Sequence, residues 1–376
     1  MNESITSMTV SVSTPYPIHV GEGLLTSELL LESCKKLSER FVIISDNTVS
    51  SLYGNILKDF LEKGGLEAIV LSFPAGEKFK TRDTKQKIED KMLSLNFGRD
   101  SGIIALGGGV VCDLAGFVGA TYARGIPTLY IPTTTLSMID ASVGGKTGVN
   151  TPNGKNLIGA IYHPSAVFSD LALLESLSQH EYLDGCVEAI KHALIHGGSY
   201  YEFMRDNWEN IVERETKTLR NVIIKSCEIK KDVVQQDDKE VGIRQLLNLG
   251  HTVAHAIEKT SDYKISHGCA VALGIISEAK MAEHMNILSG SALKKIEALL
   301  MPYLKVLAPK LKYMQLADLN SAMVLDKKSQ ENIARFVLLE DIGKPHMPTV
   351  KPAVKVPHDV QQLGLNYILK ELDLTC

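Results

Sequence analysis

Apolar runs alternate with amphipathic segments along the first half of the chain. Four short runs have the composition of buried strands: Phe41–Ser45, Glu67–Ser72, Gly102–Leu106 and Thr128–Ile131. Between them, the segments Ser50–Lys63 and Asp83–Ser94 carry apolar residues at helical spacing. Strands that alternate with helices predict βαβ units and a mostly parallel, Rossmann-like sheet.

The pattern changes near residue 170. Strand-like runs become scarce, and long helical patterns are found at Ser178–Ile195, Arg214–Val234, Arg244–Lys259 and Ala270–Asn286. The Pro-containing stretch Gly343–Pro357 is expected to be irregular surface chain. We therefore predict an α/β domain over residues 1–170 and a mainly α-helical domain over residues 171–376.

Charge and composition narrow the choice of partners. The 376 residues include 40 basic and 44 acidic side chains, a net charge of −4, so no overall field attracts nucleic acid or an anionic membrane. An anionic small molecule must then be held by a local cluster of basic groups. No stretch approaches the ~18 consecutive apolar residues of a membrane span, and Met1–Val10 lacks the features of a secretory signal. Six scattered cysteines without a CxxC pair favour reduced thiols, and the expected location is the cytoplasm.

A glycine-rich turn follows one of the predicted strands. Ile103–Leu106 leads into Gly107–Gly109 and then into a helix-compatible run, Val110–Ala120. A strand, a glycine turn and a helix start let backbone N–H groups approach a pyrophosphate. The spacing is not G-x-G-x-x-G, because Cys112 stands where the third glycine would be.

Two carboxylates near this turn each have two interpretations. Asp46 follows the strand Phe41–Ser45 and could accept a hydrogen bond from an adenosine ribose hydroxyl, or it could cap a helix ahead of Val49. Asp113 could serve a nucleotide, or it could stabilise the dipole of the helix that follows the glycines.

Polar residues and glycines are unusually dense between residues 131 and 156. Thr133 and Thr134 could cap a helix or bind a cofactor with their hydroxyls. Gly144–Thr147 resembles the end of a P-loop, but the earlier glycine of that motif is missing, so a nucleoside triphosphate site is rejected. The remaining polar residues fit a phosphate or carboxylate site: Asp140, Lys146, Lys155 and Asn156.

Metal-binding residue types cluster in the second half. Arg244, Asn248, His251 and His255 are spaced to lie on one face of one helix, and His267 follows before the next helical run. Upstream, Glu181, Glu188 and Lys191 are spaced to share a face of another helix. Two histidines and one glutamate form the open three-ligand set of a catalytic zinc site. Spacing does not decide which two histidines bind, although His251 with His255 is the simplest pair.

These motifs, in this order, resemble the 3-dehydroquinate synthases of the sugar phosphate cyclase superfamily, which act in the shikimate pathway. The resemblance runs from Pro74 to Leu339 and rests on Gly76–Lys80, Gly107–Asp113, Pro132–Thr134, Asp140, Gly144–Thr147, Gly154–Asn156, Glu188–Lys191, Asn248–Thr252, His255, His267–Gly268 and Asp326–Lys328. It implies a homodimer, a bound NAD and a divalent metal, Zn²⁺ or Co²⁺.

The resemblance also implies roles for individual residues. The metal ligands would be Glu188, His251 and His267, with His255 on the substrate side. Contacts to NAD are expected from Asp46, Glu77, Lys80, Gly108, Gly109, Val110, Asp113, Thr133, Thr134, Lys146, Lys155, Leu173 and Ser176. Catalytic residues would be Asp140, Lys146, Lys191, Arg244, Asn248 and His255, and further substrate contacts would come from Arg124, Lys155, Asn156, Lys230 and Lys328, with Arg124 reaching across the dimer.

The activity implied is conversion of 3-deoxy-D-arabino-heptulosonate 7-phosphate to 3-dehydroquinate and phosphate. It comprises transient oxidation, phosphate elimination, re-reduction and an intramolecular aldol closure. Three alternatives are open. They are a cyclase for sedoheptulose 7-phosphate or glucose 6-phosphate, a metal-dependent polyol or glycerol-phosphate dehydrogenase that consumes NAD, and a homologue without activity. The basic set Lys230, Arg244 and Lys328 favours a substrate with a carboxylate.

Overall fold

A computed structural model describes residues 5–309, 311, 314–324, 334–349 and 351–372. It divides into two compact units, and each is described by itself. The first comprises Met1–Leu177 and Leu219–Lys231, and the second comprises Ser178–Thr218 and Asp232–Cys376. The predicted boundary near residue 170 falls close to Leu177, but the grouping of Leu219–Lys231 with the first unit was not predicted. The binding roles assigned to the two domains stay predictions.

The regular elements are numbered in chain order. The strands are β1 Thr6–Val10, β2 Tyr16–Gly21, β3 Arg40–Asp46, β4 Glu67–Phe73, β5 Ser101–Gly107, β6 Thr128–Pro132, β7 Lys146–Thr151, β8 Gly154–Ile161, β9 Ala166–Asp170, β10 Arg335–Val337, β11 Leu339–Asp341, β12 Lys344–Pro345 and β13 Ala353–Lys355. The helices are α1 Glu28–Lys35, α2 Asn47–Val49, α3 Asn55–Lys63, α4 Arg82–Ser94, α5 Gly109–Thr121, α6 Gln179–His196, α7 Gly198–Asp206, α8 Trp208–Val212, α9 Thr216–Gln236, α10 His251–Thr260, α11 His267–His284, α12 Gly290–Leu307, α13 Leu316–Val324 and α14 His358–Asn366.

The first unit is built on a seven-stranded sheet in the order β1-β2-β9-β6-β5-β3-β4. Only the pairing of β1 with β2 is antiparallel, and the other neighbours are parallel. The four predicted strands are β3, β4, β5 and β6, each slightly longer than expected. The predicted α/β fold with a mostly parallel sheet is therefore confirmed. Strands β3, β5 and β6 read as continuous apolar runs because helices and loops cover both faces of such a sheet.

The order of connections creates a switch point between β3 and β5. From β3 the chain moves to β4 on one side, and it then returns to β5 on the other side. Ligands of open α/β sheets bind at the carboxyl ends of the strands beside such a point. Asp46 ends β3 there, and Gly107–Gly109 connect β5 to α5. The glycine-rich turn singled out in the sequence thus lies where this fold class binds its ligands.

The second unit is helical, and α6, α10 and α11 lie at its centre. In α6 the side chains from Tyr182 to Ile195 are buried all round the helix, and α11 is buried over most of its length. A helix that is buried on every side must be surrounded by other elements. Polar side chains on these helices are thereby forced into the core, where each needs a partner. Among the described helices, none has the length and apolar character to cross a bilayer.

Two sequence predictions for this unit are wrong. Arg244–Lys259 is not one helix, because a 3-10 turn over Ile243–Asn248 ends before Gly250, which adopts a left-handed φ of 79°, and α10 begins at His251. Arg244 and Asn248 are therefore not on a helical stripe with His251. Gly343–Pro357 is not wholly irregular, since it contains β12 and β13, which pair with β11 and β10.

A close contact between α5 and β6 gives a test of the first unit. A Cβ at Gly116 would lie 2.1 Å from Tyr130 Oη and 2.6 Å from Thr147 Cγ2. We expect Gly116→Ala to destabilise the protein by about 1–3 kcal/mol, because overpacking a tight core costs that much. Calorimetry should show a lower melting temperature. In the control Gly290→Ala, the new Cβ meets only Glu283 Oε1 at 3.8 Å, so no loss is expected. Equal melting temperatures for the two variants would contradict this packing.

Candidate metal centre and cofactor region

Glu188 is unusual among the described residues of the second unit, because its carboxylate is fully buried in the middle of α6. An isolated ionised carboxylate in such a place would cost many kcal/mol. Lys191, one turn further along α6 and itself buried, forms an ion pair with it. The sequence VEAIK therefore places an acid and a base on the same buried face at i, i+3 spacing.

Two histidines approach the same carboxylate from other helices. His267 Nε2 lies 3.4 Å from Glu188 Oε1, and His251 Nε2 lies 3.7 Å from it. The donor atoms of the three residues all lie within 4.8 Å of one another. Donors bound tetrahedrally to Zn²⁺ at about 2.0–2.1 Å are separated by roughly 3.3 Å. The spacing in the protein is therefore close to that of a tetrahedral site.

The Glu188 carboxylate also has oxygen atoms available to bind a metal. Within the described residues, Lys191 pairs with Oε2 of Glu188 and the two histidines face Oε1, but neither buried oxygen accepts a directed hydrogen bond. Buried polar atoms of native proteins are satisfied in nearly all cases. Two imidazole nitrogens and one carboxylate are the donor types that zinc-like ions prefer. The residues present thus fit a divalent metal ion.

Charge neighbours dominate the acid–base behaviour of this cluster. Burial alone would raise the pKa of Glu188, but Lys191, His267 and His251 hold it well below its usual range. Burial lowers the pKa of His267, yet the carboxylates of Glu188 and Glu258 outweigh it and raise that pKa to about 10. The two carboxylates therefore favour a cation at this point, either a proton on His267 or a metal ion.

Both candidate histidines are held by a second contact. His251 Nδ1 lies 3.1 Å from the carbonyl oxygen of Leu249, which directs Nε2 towards Glu188. His267 Nδ1 lies 3.5 Å from Glu258 Oε1. Such outer contacts orient a metal-binding imidazole. The sequence analysis missed Glu258, although its position two turns after His251 on α10 could have suggested a shared helix face.

Two other residues of the predicted cluster occupy different places. His255 packs edge-on against His251 with ring centroids 5.7 Å apart, and it is not among the donors close to Glu188. Glu181 is exposed, and its carboxylate accepts a hydrogen bond from Ser178 at the start of α6. Glu181 therefore shares the helix with Glu188 but has a local capping role at the start of α6, and it is not among the donors close to Glu188.

Arg244 and Asn248 are fixed by an acidic loop before α10. The guanidinium of Arg244 is buried and donates to the carbonyl oxygen of Asp238 at 2.7 Å. Asn248 donates to Glu240 at 3.0 Å. The Asp237 carboxylate accepts backbone hydrogen bonds from Val241, Gly242 and Arg244. Although burial acts to raise it, the pKa of Asp237 is lowered by these bonds. These hydrogen bonds therefore order the loop, and the ordered loop holds the guanidinium of Arg244 in a buried position.

In the first unit, several predicted cofactor residues meet around Lys80. Its buried ammonium group pairs with Asp113 and donates to Asn156 Oδ1 at 2.5 Å. Burial raises the pKa of Asp113 in spite of Lys80. The helix-dipole interpretation of Asp113 is wrong, because the residue lies beyond the first turn of α5 and has Lys80 as its partner.

A residue that the sequence analysis did not single out completes this cluster. Asn150 donates to Glu77 Oε1 at 2.7 Å, and its own oxygen accepts from the backbone N–H of Asn156. Its backbone N–H donates to the carbonyl oxygen of Lys80 at 2.7 Å. Asn150 thereby connects the β7–β8 hairpin to the segment that carries Glu77 and Lys80. Its position among glycines was the only signal in the sequence.

Two of the ambiguous polar residues act as caps. Asp46 Oδ1 accepts from the N–H groups of Thr48 and Val49, so the capping alternative is confirmed for it. Thr134 accepts from the N–H of Ser137 in the same manner. In contrast, the buried hydroxyl of Thr133 has no hydrogen-bond partner within the described residues. An unsatisfied hydroxyl at the carboxyl end of β6 fits a polar ligand there.

Asp140 and Lys230 form another close acid–base pair in this unit. The ammonium group of Lys230 lies 2.5 Å from both the side-chain Oδ1 and the carbonyl oxygen of Asp140. Lys230 belongs to the part of α9 that groups with the first unit. The pair therefore explains in part why that segment belongs there. It also neutralises a lysine that is buried.

The remaining predicted residues are more dispersed. Arg124 is exposed in a left-handed backbone conformation, and Lys146 is exposed at the start of β7. Lys155 is half-buried on β8, and Leu173 is buried in a 3-10 turn that ends at the exposed Ser176. Gly108 precedes α5 as its cap, followed by Gly109 and Val110 in the first turn. Lys328 lies outside the described residues.

Comparison with known proteins agrees with this arrangement. A profile of the 3-dehydroquinate synthase N-terminal domain matches residues 70–184, and a profile of the C-terminal domain matches residues 185–329. A 3-dehydroquinate synthase of Acidithiobacillus ferrooxidans is 39% identical over 349 residues, which cover 92% of this chain and 94% of the relative. The chain belongs to the 3-dehydroquinate synthase family.

Two solved structures that resemble this chain are sugar phosphate cyclases. 2-Deoxy-scyllo-inosose synthase complexed with carbaglucose-6-phosphate, NAD⁺ and Co²⁺ aligns with a TM-score of 0.88 at 26% identity, over 96% of this chain and 99% of that one. A 2-epi-5-epi-valiolone synthase from Streptomyces hygroscopicus with NAD⁺ and Zn²⁺ bound aligns with a TM-score of 0.85 at 25% identity, over 96% and 98% of the two chains.

The raised pKa of His267 leads to a test of the metal centre. Below about pH 10 this histidine is protonated, whereas a metal binds the neutral imidazole, so binding must displace the proton. We expect Zn²⁺ titrated into metal-free protein at pH 8 to release about one proton from His267, and the apparent affinity to rise with pH towards about 10. Calorimetry in two buffers of different ionisation enthalpy measures this release. His267→Gln is the control that should lose it, and equal release from this variant would contradict the assignment.

Proposed function

We propose that this chain is an NAD- and metal-dependent 3-dehydroquinate synthase. It would convert 3-deoxy-D-arabino-heptulosonate 7-phosphate to 3-dehydroquinate and inorganic phosphate by transient oxidation, phosphate elimination, re-reduction and aldol closure. The observation that supports this most is the largely buried cluster of Glu188, His251 and His267 in a chain of this family. Relatives that carry NAD⁺ with Co²⁺ or Zn²⁺ support the cofactor requirement.

The metal would be held by Glu188, His251 and His267. When bound, the metal supplies a Lewis acid and NAD⁺ supplies a reversible hydride acceptor. Three protein ligands leave coordination positions open, as in other catalytic sites. His255 lies beside His251 but outside the ligand set, which suits a role in proton transfer close to a substrate hydroxyl.

NAD would bind at the carboxyl ends of β3, β5 and β6. Gly108, Gly109 and Val110 offer backbone N–H groups at the start of α5, where a pyrophosphate is favoured. Thr133 offers a buried hydroxyl that lacks a partner within the described residues. Further contacts are proposed from the cluster around Lys80, from the ends of β3 and β6, from the β7–β8 hairpin and from the 3-10 turn after β9. The residues are Asp46, Glu77, Lys80, Asp113, Thr134, Lys146, Lys155, Leu173 and Ser176.

The substrate carries a carboxylate and a phosphate, so it needs cationic groups that are already ordered. Arg244 is suited to the carboxylate, because a buried guanidinium binds such a group in a bidentate manner. Lys191 is suited to a hydroxyl near the metal, since it lies beside Glu188. The remaining proposed contacts are Arg124, Asp140, Lys146, Lys155, Asn156, Lys230, Asn248 and Lys328, the last being outside the described residues.

For these steps the protein's main task would be to orient the substrate. Fixed lysine and arginine groups hold the substrate without reorganisation during the reaction, which is where such sites gain most of their rate. The substrate's own phosphate can accept the proton from C6 before it leaves. Lys191 and Asp140 would keep the hydroxyls at C4 and C5 in place, and His255 would accept or return a hydroxyl proton.

We also propose a cytoplasmic homodimer. Arg124 supports the dimer, because it is exposed at a strained turn and the family resemblance assigns it to the partner's substrate. The five described cysteines are buried and unpaired with one another, which suits a reducing compartment.

A second sugar phosphate cyclase activity is the main alternative. It is favoured by the likeness to 2-deoxy-scyllo-inosose synthase and 2-epi-5-epi-valiolone synthase, both at TM-scores of 0.85 or above. A substrate panel separates the two. A 3-dehydroquinate synthase should use the heptulosonate phosphate and reject sedoheptulose 7-phosphate and glucose 6-phosphate, because these lack the carboxylate that Arg244 would bind.

The reaction itself is tested by following phosphate release. With the heptulosonate phosphate, Zn²⁺ and NAD⁺ well below the substrate concentration, we expect many turnovers and no steady rise in NADH, because the oxidation is reversed within each cycle. Removal of the metal by a chelator should abolish release, and added Zn²⁺ should restore it. Steady accumulation of NADH would support a dehydrogenase instead, and full turnover after verified metal removal would contradict the proposal.

Lys191 offers a test of the division of roles within the cluster. Lys191→Met keeps the side-chain volume and removes the cation beside Glu188, so we expect Zn²⁺ affinity to be kept or increased. Loss of the hydroxyl contact should reduce kcat/KM by at least about 100-fold, on the order of 2.7 kcal/mol. The control is Lys225→Met, which breaks an exposed pair with Glu228 at the same i, i+3 spacing. Equal kcat/KM in the two variants would remove Lys191 from the site.

A further inference from the structure

Two of the three proposed metal ligands stand at the first position of a helix. His251 begins α10, and His267 begins α11. The first N–H groups of a helix lack partners within the helix and need an acceptor from elsewhere. Neither helix supplies one locally, because Gly250 has no side chain and Ser266 makes no capping bond to its own helix.

Asp184 on α6 supplies the acceptor for α11. Its carboxylate accepts from the backbone N–H groups of Gly268 at 3.0 Å and Cys269 at 2.9 Å, and from the hydroxyl of Ser266 at 2.5 Å. A Cβ at Gly268 would lie 1.9 Å from the carbonyl oxygen of Asp184, so the two helices touch there. Asp184 also lies one turn before Glu188. The start of α11 is therefore fixed against the helix that carries the third ligand.

Glu278 on α11 does the same for α10. It is fully buried, and its carboxylate accepts from the backbone N–H of Gly250 at 2.7 Å, directly before His251. A Cβ at Gly274 would lie 2.0 Å from the carbonyl oxygen of Gly250, so α10 and α11 are also in close contact. The contacts form a sequence in which α6 fixes the start of α11, and α11 fixes the start of α10.

We propose that Asp184 and Glu278 are positioning residues, which set the distances among Glu188, His251 and His267 before a metal binds. The proposal deepens the proposed function and rests on its metal site. Each carboxylate holds the helix end that carries a ligand, yet neither is itself among the donors close to Glu188. Ligand groups must be held to within about 0.5 Å for a competent site, and residues that support them from outside have measurable effects.

Charge gives a second reason for carboxylates at these two positions. A helix N-terminus carries roughly half a positive charge, so two of them, together with Lys191, make an unfavourable place for a divalent cation. Carboxylates at both helix starts offset this field. They satisfy the backbone N–H groups at the same time, which a neutral capping hydroxyl could do without contributing charge.

Metal binding tests the proposal independently of turnover. In Asp184→Asn, the amide replaces one of two oxygens that both accept hydrogen bonds, and Glu278→Met removes the acceptor for Gly250. We expect each to weaken Zn²⁺ binding by at least about tenfold in competition with a chelator. At saturating Co²⁺, we also expect an altered visible absorption spectrum, which reports ligand geometry. Glu278→Gln keeps a carbonyl oxygen and should retain more affinity than Glu278→Met.

The matched control is Asp170→Asn in the first unit. Asp170 is likewise buried and accepts from the backbone N–H groups of Gly23, Leu25 and Ala172, but it does not position any of the proposed metal ligands. This variant should lose thermal stability while keeping wild-type Zn²⁺ affinity and Co²⁺ spectrum. Ser266→Ala, which removes one of the three bonds to Asp184, provides a milder change if Asp184→Asn does not fold, and it should also weaken binding.

The outcomes separate this inference from the proposed function. Wild-type affinity and an unchanged Co²⁺ spectrum in the folded Asp184 or Ser266 variants and in Glu278→Met would overturn the positioning role. The proposed function would stand in that case, provided that the wild-type protein binds Zn²⁺ and releases phosphate. Absence of Zn²⁺ binding by the wild-type protein would overturn both.

Discussion

Burial of the Glu188 carboxylate is the constraint on which the helical unit depends. A fully buried carboxylate is tolerated only where cations compensate it, and breaking such a pairing costs several kcal/mol. Lys191 compensates it within α6, and His251 and His267 approach it from α10 and α11. Packing of these three helices therefore cannot be separated from the electrostatics of the site, because the same contacts that close the core bring the cationic and donor groups together.

Glycines at the helix contacts make this arrangement possible. Gly250 needs its left-handed conformation to end the 3-10 turn and start α10 at His251. Gly268 and Gly274 allow backbones to approach so closely that a methyl group would collide with a carbonyl oxygen. Short distances between helix axes let side chains as short as aspartate reach a neighbouring helix start. These glycines thus contribute to the site by permitting the close helix contacts that bring its charged residues together.

Sequence reasoning succeeded where the signal is local. The apolar runs of β3 to β6 stand out because both faces of a parallel sheet are buried, and the glycine turn after β5 follows directly in the chain. Glu188 and Lys191 could be recognised from their spacing on one helix. The choice of His267 beside His251 came from family resemblance, since helical spacing alone favoured His255.

The misses are features that depend on contacts distant in sequence. Asp184 has no local sign of its role, because the N–H groups that it accepts from belong to α11, more than 80 residues further on. The helix predicted over Arg244–Lys259 fails in its first part, where a 3-10 turn ends at an extended Leu249 and a left-handed Gly250 precedes α10. Gly250 packs closely against α11, which the local sequence could not show. The β7–β8 hairpin was not predicted, because its glycines and polar residues lack the apolar pattern of a strand. Asn150 on β7 nevertheless holds Glu77 and Lys80 in place.

The most direct test of this account is a crystal structure of the Zn²⁺-loaded protein with data collected on both sides of the zinc absorption edge. The account predicts one anomalous peak in the helical unit, at about 2.0–2.2 Å from a carboxylate oxygen of Glu188 and from Nε2 of both His251 and His267. A peak bound by His255 in place of His267, or one that leaves Glu188 without a metal bond, would contradict it.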